Sequence, residues 1–234
     1  MKPRIKLSES ALKNGDIMSL YEHDGSYGIC INGQELMNTR ATYSELMLGS
    51  FGVEPLEKDE PNRVLIGGLG MGFTLKSVLE QTGQATKVEV AELLPDMVEW
   101  NRTHLKSVNG TLLDDPRVEI RAKDVQEIIQ EAEPETYDAI MLDIDNGPVA
   151  MVQSSNRSLY ARKGIYSVLR ALKTNGRLAV WSAGIDAKFE QNVKKNRAEI
   201  EMHRVKANHQ AKRPSYVIYT IQKPNDRIRQ NVPK

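Results

Sequence analysis

Asp143 and Asp145 stand two residues apart, just beyond the apolar run at residues 137–142 (YDAIML). In extended backbone, positions two apart face the same side, so both carboxylates can open on one crevice. Such a pair can hold an amine and accept its proton as the nitrogen attacks. The competing reading is an Asp-Asn-Gly-Pro turn at residues 145–148 that only closes the strand. Upstream, Gly67, Gly68, Gly70 and Gly72 lie between an apolar strand pattern and a helical one. In that place glycines allow a tight turn and let backbone amides and a helix N-terminus approach a ligand closely. Phe73 stands where the dinucleotide fingerprint needs a third small residue, which argues against NAD or FAD. Glu92, twenty residues beyond Gly72, ends the next strand and can accept hydrogen bonds from both ribose hydroxyls of a nucleoside. Asp124 ends the strand after that, where its side chain can meet an adenine amino group. The alternative for Glu92 and Asp124 is a helix cap or an exposed loop acid. Three features at three successive strand ends, where open α/β sheets bind ligands, favour the functional reading.

Other chemistries find no support. His23, His104, His203 and His209 are scattered over unrelated elements without metal-ligand spacing, so no metal is expected. No Ser-His-Asp or Cys-His arrangement can be proposed. Cys30 is the single cysteine, which excludes a disulfide framework and fits a reducing, cytoplasmic setting. Met18, Met37, Met47, Met71 and Met97 read as core filling.

A crevice of this kind needs a parallel sheet to carry it. From Arg63 onward, strand and helix patterns alternate: residues 63–68 (RVLIGG) read as a strand buried on both faces, followed by a helix from about Phe73 to Glu80. Strands at 87–92, 117–124, 137–143 and 177–184 and intervening helices continue the pattern, with Asn175-Gly176 as the stop of the helix before the last of these. Two final strands without a helix between them should pair antiparallel. The expectation is an α/β, doubly wound, Rossmann-like sheet. Before it, Asp24-Gly25 and Asn32-Gly33 mark hairpins among short strands. A helix near residues 41–51 and a polar, proline-bearing linker follow, giving a small N-terminal β domain at 1–55 and the Rossmann-like domain at 56–234.

The 234 residues suffice for a sizeable core without staples, and no run of eighteen apolar residues suggests a membrane span. The N-terminus has no apolar segment behind its basic residues, so it does not read as a secretory signal. The formal charge of +1 hides an asymmetry: twelve basic and five acidic residues from Ile185 onward, against twenty and twenty-six before it. Solvated surface is the preferred reading of the basic tail over nucleic-acid binding, because no RNA-binding aromatic signature accompanies it.

Taken in order, these motifs resemble the polyamine aminopropyltransferases, the spermidine synthases, within the class I AdoMet-dependent transferase fold. The resemblance runs from about Ile17 to Lys223. Residues 29–48 match the junction from the small β domain into a Tyr-x-Glu helix, bearing Tyr43 and Glu45. Residues 64–72 match the glycine loop, 88–100 the ribose strand with Glu92, 115–124 the strand before Asp124, and 137–143 the strand of the catalytic aspartate. The segment after it, 158–180, matches as well. The resemblance implies S-adenosylmethionine or its decarboxylated form as co-substrate, a small-molecule amine as acceptor, and a homodimer. It also implies Asp143 as base or amine anchor, Asp145 as second anchor, and Tyr43, Glu45 and Tyr160 around the acceptor. Three departures stand out. Gly70 or its neighbours replace the loop aspartate that holds the donor's amino group, the gate after Asp143 is shortened, and Trp181-Ser182 stands where a glutamine is common. Aminopropyl transfer leads; an AdoMet-dependent methyltransferase and a non-catalytic binding or assembly subunit remain as alternatives.

Overall fold

The computed structural model describes residues 3–144 and 158–223, so Asp145 and the turn that follows it lie outside the described residues. Four antiparallel strands come first: β1 (Ile5–Ala11), β2 (Ile17–His23), β3 (Ser26–Ile31) and β4 (Gln34–Asn38), in that order across the sheet. Asp24 and Gly25 have φ of 52° and 75°, and Asn32 and Gly33 of 49° and 82°. Two successive left-handed residues are what a tight two-residue hairpin requires, and these pairs supply them cheaply. Only β1 escapes the hairpin signals; it is an edge strand with largely exposed side chains.

The larger sheet has seven strands in the order β10-β11-β9-β8-β5-β6-β7. Its parallel part comprises β5 (Arg63–Gly67), β6 (Lys87–Ala91), β7 (Val118–Arg121), β8 (Tyr137–Leu142) and β9 (Leu172–Ser182). The antiparallel edge is β10 (Glu199–Val205) with β11 (Tyr216–Gln222), as two strands without an intervening helix should pair. Val64, Leu65 and Ile66 are fully buried because helices cover both faces. On one face α1 (Tyr43–Val53) and α2 (Phe73–Gln81) pack Leu48, Leu75 and Val78 against Val64 and Ile66. On the other, α5 (Val125–Glu131), α6 (Arg162–Ala171) and α7 (Ala187–Lys195) pack Ile129, Val168 and Phe189 against Leu65 and Ile140. The small sheet uses a third cluster, in which Leu20 and Ile29 meet Met71, Trp100 and Met97 of α3 (Pro95–Arg102). A short α4 (Lys106–Asn109) follows α3. The chain leaves β5 toward β6 and β7, then crosses to β8 on the other side of β5. That reversal opens a crevice at the C-terminal ends of β5 and β8, where open α/β sheets bind ligands.

The end of α6 corrects the sequence reading. The helix stops at Ala171, and Asn175-Gly176 lies inside β9 rather than closing the helix. Leu172 is fully buried and pairs with Tyr137, and the register then shifts before Ala139 pairs with Arg177. Asn175, at φ 65°, turns the extra residues out of the ladder as a bulge. Asn175 alone of the two is left-handed, and burial of Leu172 begins the strand before it.

Helix α1 follows the small sheet in sequence yet buries its apolar side on the larger one, so a cut between residues 55 and 56 separates it from the sheet it packs on. It approaches α2 closely at Gly49, where an added Cβ meets the Thr74 carbonyl oxygen and the Ser77 Cβ, each at 2.7 Å. Gly49→Ala therefore forces the two helices apart. Overpacking of this kind costs about 1–3 kcal/mol, which a urea unfolding midpoint would read; an unchanged midpoint would contradict the tight crossing.

Candidate active site

The glycine turn begins where β5 ends. Gly68, Gly70 and Gly72 have φ of 92°, 51° and 84°. Gly68 is the demanding position, since a Cβ there would lie 2.3 Å from the Asp143 carbonyl oxygen. The neighbouring backbone is knitted accordingly: Asp143 N–H donates to the Gly67 carbonyl at 2.8 Å and Gly68 N–H to Ala91 at 2.9 Å. The turn thereby ties the ends of β8, β5 and β6 together. Gly67 closes β5 and Gly72 caps α2; neither lines the crevice, whereas Gly68 and Gly70 do.

Glu92 follows β6 and is buried. Its Oε2 accepts the Leu69 amide at 3.0 Å and its Oε1 the Leu94 amide at 2.8 Å. Burial pushes its pKa up, and the amide donors pull against that shift. The amides of Leu93 and Gly70 also favour its ionised form, and the carboxylate that braces the glycine turn lines the cavity as well. Asp124 combines both readings from the sequence: its Oδ1 accepts the Gln126 amide at 2.8 Å as the cap of α5, and the residue also lines the cavity.

Beside the turn lie Glu45, from the first turn of α1, and Asp143. Asp143 is half-buried as a residue, with its carboxyl group enclosed, and that enclosure pushes its pKa up to about 6. Its Oδ2 accepts the Thr74 hydroxyl at 2.9 Å, which works in the opposite direction. Glu45 is pushed well above the usual carboxylate range, first by burial and second by the negative charge of Asp143. Two acids that hinder each other's ionisation form a site poised for a cation.

These groups share a cavity of about 320 Å³, closed on one side by β4 through Glu35, Met37 and Asn38 and on another by Trp181 and Tyr216. The Trp181 and Tyr216 rings meet at 4.8 Å between centroids. Lys123 is the cationic side chain among the described lining residues, and it is held by Glu131 at 2.5 Å. Two expected acceptor residues are not brought to this cavity. Tyr43 donates its backbone N–H to Ala207 at 3.1 Å and packs its ring on His209 at 4.3 Å. Tyr160 borders a separate space of about 20 Å³ with Tyr219 and Phe189, whose ring lies 5.8 Å away. Glu35, Lys123 and Thr74 were not singled out from sequence. A Thr between buried Phe73 and Leu75 was the one legible hint, because a buried hydroxyl needs a partner. Among the described residues, no group of three or more His, Cys, Asp or Glu could hold a metal ion, and no helix is long and apolar enough to cross a membrane.

No family model matches the chain. It is 34% identical over 154 residues to polyamine aminopropyltransferase 2 of Pseudomonas aeruginosa, covering 63% of this chain and 40% of that protein. Polyamine aminopropyltransferase 1 of Hyperthermus butylicus is 27% identical over 211 residues, covering 76% and 70% of the two chains. The chain thus spans about two fifths of the length of the Pseudomonas relative. The spermidine synthase of Thermotoga maritima superposes with a TM-score of 0.68 at 17% identity, covering 97% of this chain and 76% of that one. A spermidine synthase in complex with the transition state analogue AdoDATO gives 0.67 at 18% identity with the same coverages. The sheet and its crevice define a Rossmann-like, methyltransferase-type α/β protein. Within that class the chain is similar in sequence to polyamine aminopropyltransferases.

The raised pKa of Asp143 has a consequence for stability. The folded protein holds this proton up to about pH 6, whereas an unfolded aspartate releases it near 3.8. Its stabilising effect is therefore present at low pH and is lost as pH rises through about 6. Asp143→Asn does not ionise, so it should gain on wild type by about 1–3 kcal/mol between pH 4 and pH 7.5. Urea unfolding of both proteins at the two pH values checks this, and a pH-independent difference would contradict the enclosed carboxylate.

Proposed function

We propose that this chain transfers an alkyl group, aminopropyl in the leading reading, from an adenosyl sulfonium donor to an amine acceptor. The observation that carries it is the pairing of Glu45 and Asp143 in a cavity that Glu92 and Asp124 also line. The bound donor would supply a carbon already activated by its sulfonium leaving group. Glu92 then accepts the ribose hydroxyls, and the Oδ2 of Asp124, left free by the helix cap, accepts from the adenine amino group. Glu45 and Asp143 attract the ammonium of the acceptor. Asp143, ionised above about pH 6, takes its proton at neutral pH, where a base of this strength is effective. The cavity walls orient the amine and exclude water. In the same reading Asp145 anchors a distal amine, and the family resemblance supports a homodimer in the cytoplasm.

A second reading, AdoMet itself as donor, draws on Gly70. A side chain begun there meets the Met37 sulfur at 3.5 Å, so the loop offers no carboxylate where the resembling enzymes carry an aspartate. Mass spectrometry of products from each donor with a panel of amines separates aminopropyl from methyl transfer. Asp143→Asn should lower turnover by at least about 10² while adenosyl-ligand affinity persists. Glu92→Ala should weaken that affinity by about 1–3 kcal/mol in calorimetry. Absence of product with both donors, or near-normal turnover in the Asn variant, would sink the proposal.

A further inference from the structure

Thr74 lies in the first turn of α2 and is buried behind Asp143, outside the cavity wall. Its hydroxyl reaches two acceptors, Asp143 Oδ2 at 2.9 Å and the backbone carbonyl of Glu45 at 3.3 Å. A hydroxyl has one proton, and neither an ionised carboxylate nor a carbonyl can return one. The shorter contact therefore takes the proton while Asp143 is ionised. One of the two carboxylate oxygens is then committed to the protein, and Oδ1 is left to the cavity. The Glu45 carbonyl, at 3.3 Å, then receives no proton from Thr74, and α1 is held against α2 by the close approach at Gly49 instead.

We propose that Thr74 is the positioning residue of this site: its buried hydroxyl fixes Asp143 Oδ2, so that Oδ1 alone receives the proton of the acceptor amine. The proposal rests on the transfer reading above for its chemistry. In that step an amine N–H bond breaks and an O–H bond forms at Oδ1. The nitrogen lone pair makes the new N–C bond, and the C–S bonding pair leaves with sulfur as a neutral thioether. A rotated carboxylate would share the proton between its oxygens and misplace the amine, which is a loss of orientation rather than of binding.

The titratable groups that line the cavity with Asp143 are Glu45 on α1, Glu92 after β6, Lys123 and Asp124 before α5, Glu35 on β4 and Tyr216 on β11. None of them changes when the Thr74 hydroxyl is removed, so a change in Asp143 titration reports that hydroxyl. Carbon-13 NMR of labelled aspartate, with the Asp143 signal identified by its loss in Asp143→Asn, follows the titration without any substrate. Thr74→Val should raise the midpoint by about one pH unit, since a donor to the ionised form is lost. It should also lower kcat about tenfold with little change in acceptor KM, and move the acid limb of the pH profile upward. Thr74→Ser restores the hydroxyl and should return midpoint and kcat toward wild type. Should Thr74→Val fail to fold, Thr74→Ala against Thr74→Ser carries the same comparison. Equal midpoints with and without the hydroxyl would overturn the proposal even in an active enzyme. A shifted midpoint in a protein with no transfer activity would uphold the positioning of Asp143 and refute the transfer reading alone.

Discussion

The site depends on one steric constraint, the contact between the Gly68 α-carbon and the Asp143 carbonyl. With no side chain at Gly68, the ends of β5 and β8 can close to a distance that any Cβ would forbid. That closeness sets Asp143 directly beside the glycine turn, and the Gly67–Asp143 and Gly68–Ala91 backbone bonds keep it there. Glu92 braces the turn from its other side through Leu69. The residues proposed to bind the nucleoside and the residue proposed to take the proton are thus parts of one hydrogen-bonded knot, not separate outposts on loops. Precision comes from the strands, as the switch point of a doubly wound sheet allows.

Electrostatics then gives the knot its direction. Burying Asp143 and Glu45 together is unfavourable, and both respond by holding protons more tightly than free carboxylates. A bound cation relieves that penalty, so part of the folding free energy is held in reserve for ligand binding. Lys123 does little to offset the acids because Glu131 engages it. The small N-terminal sheet contributes the remaining wall through β4, while α1 supplies Glu45 from a helix seated on the larger sheet. Two structural units therefore meet over one cavity, with Glu45 and the β4 residues on its wall.

Much of this was legible in the residues. Continuous apolar runs gave the buried parallel strands, and left-handed Asp-Gly and Asn-Gly pairs gave the hairpins. Strand-end acids pointed to Glu92, Asp124 and Asp143 because position in such a sheet is itself informative. The failures share a cause: tertiary packing decided between local options. Asn175-Gly176 serves as a bulge rather than a helix stop because Leu172 is claimed by the core. Tyr43 and Tyr160 face His209 and Phe189 because ring packing, which no local pattern encodes, fixed their direction. Glu35 and Lys123 reach the cavity only through the meeting of distant elements.

The central claim is that the crevice is an adenosyl thioether site whose sulfur end abuts the Glu45–Asp143 pair. A crystal structure with a bound adenosyl thioether tests it most directly. The account predicts both ribose hydroxyls on Glu92, the adenine amino group at Asp124 and the sulfur turned toward Asp143. A nucleoside seated elsewhere, or one bound with Glu92 out of contact, would contradict it.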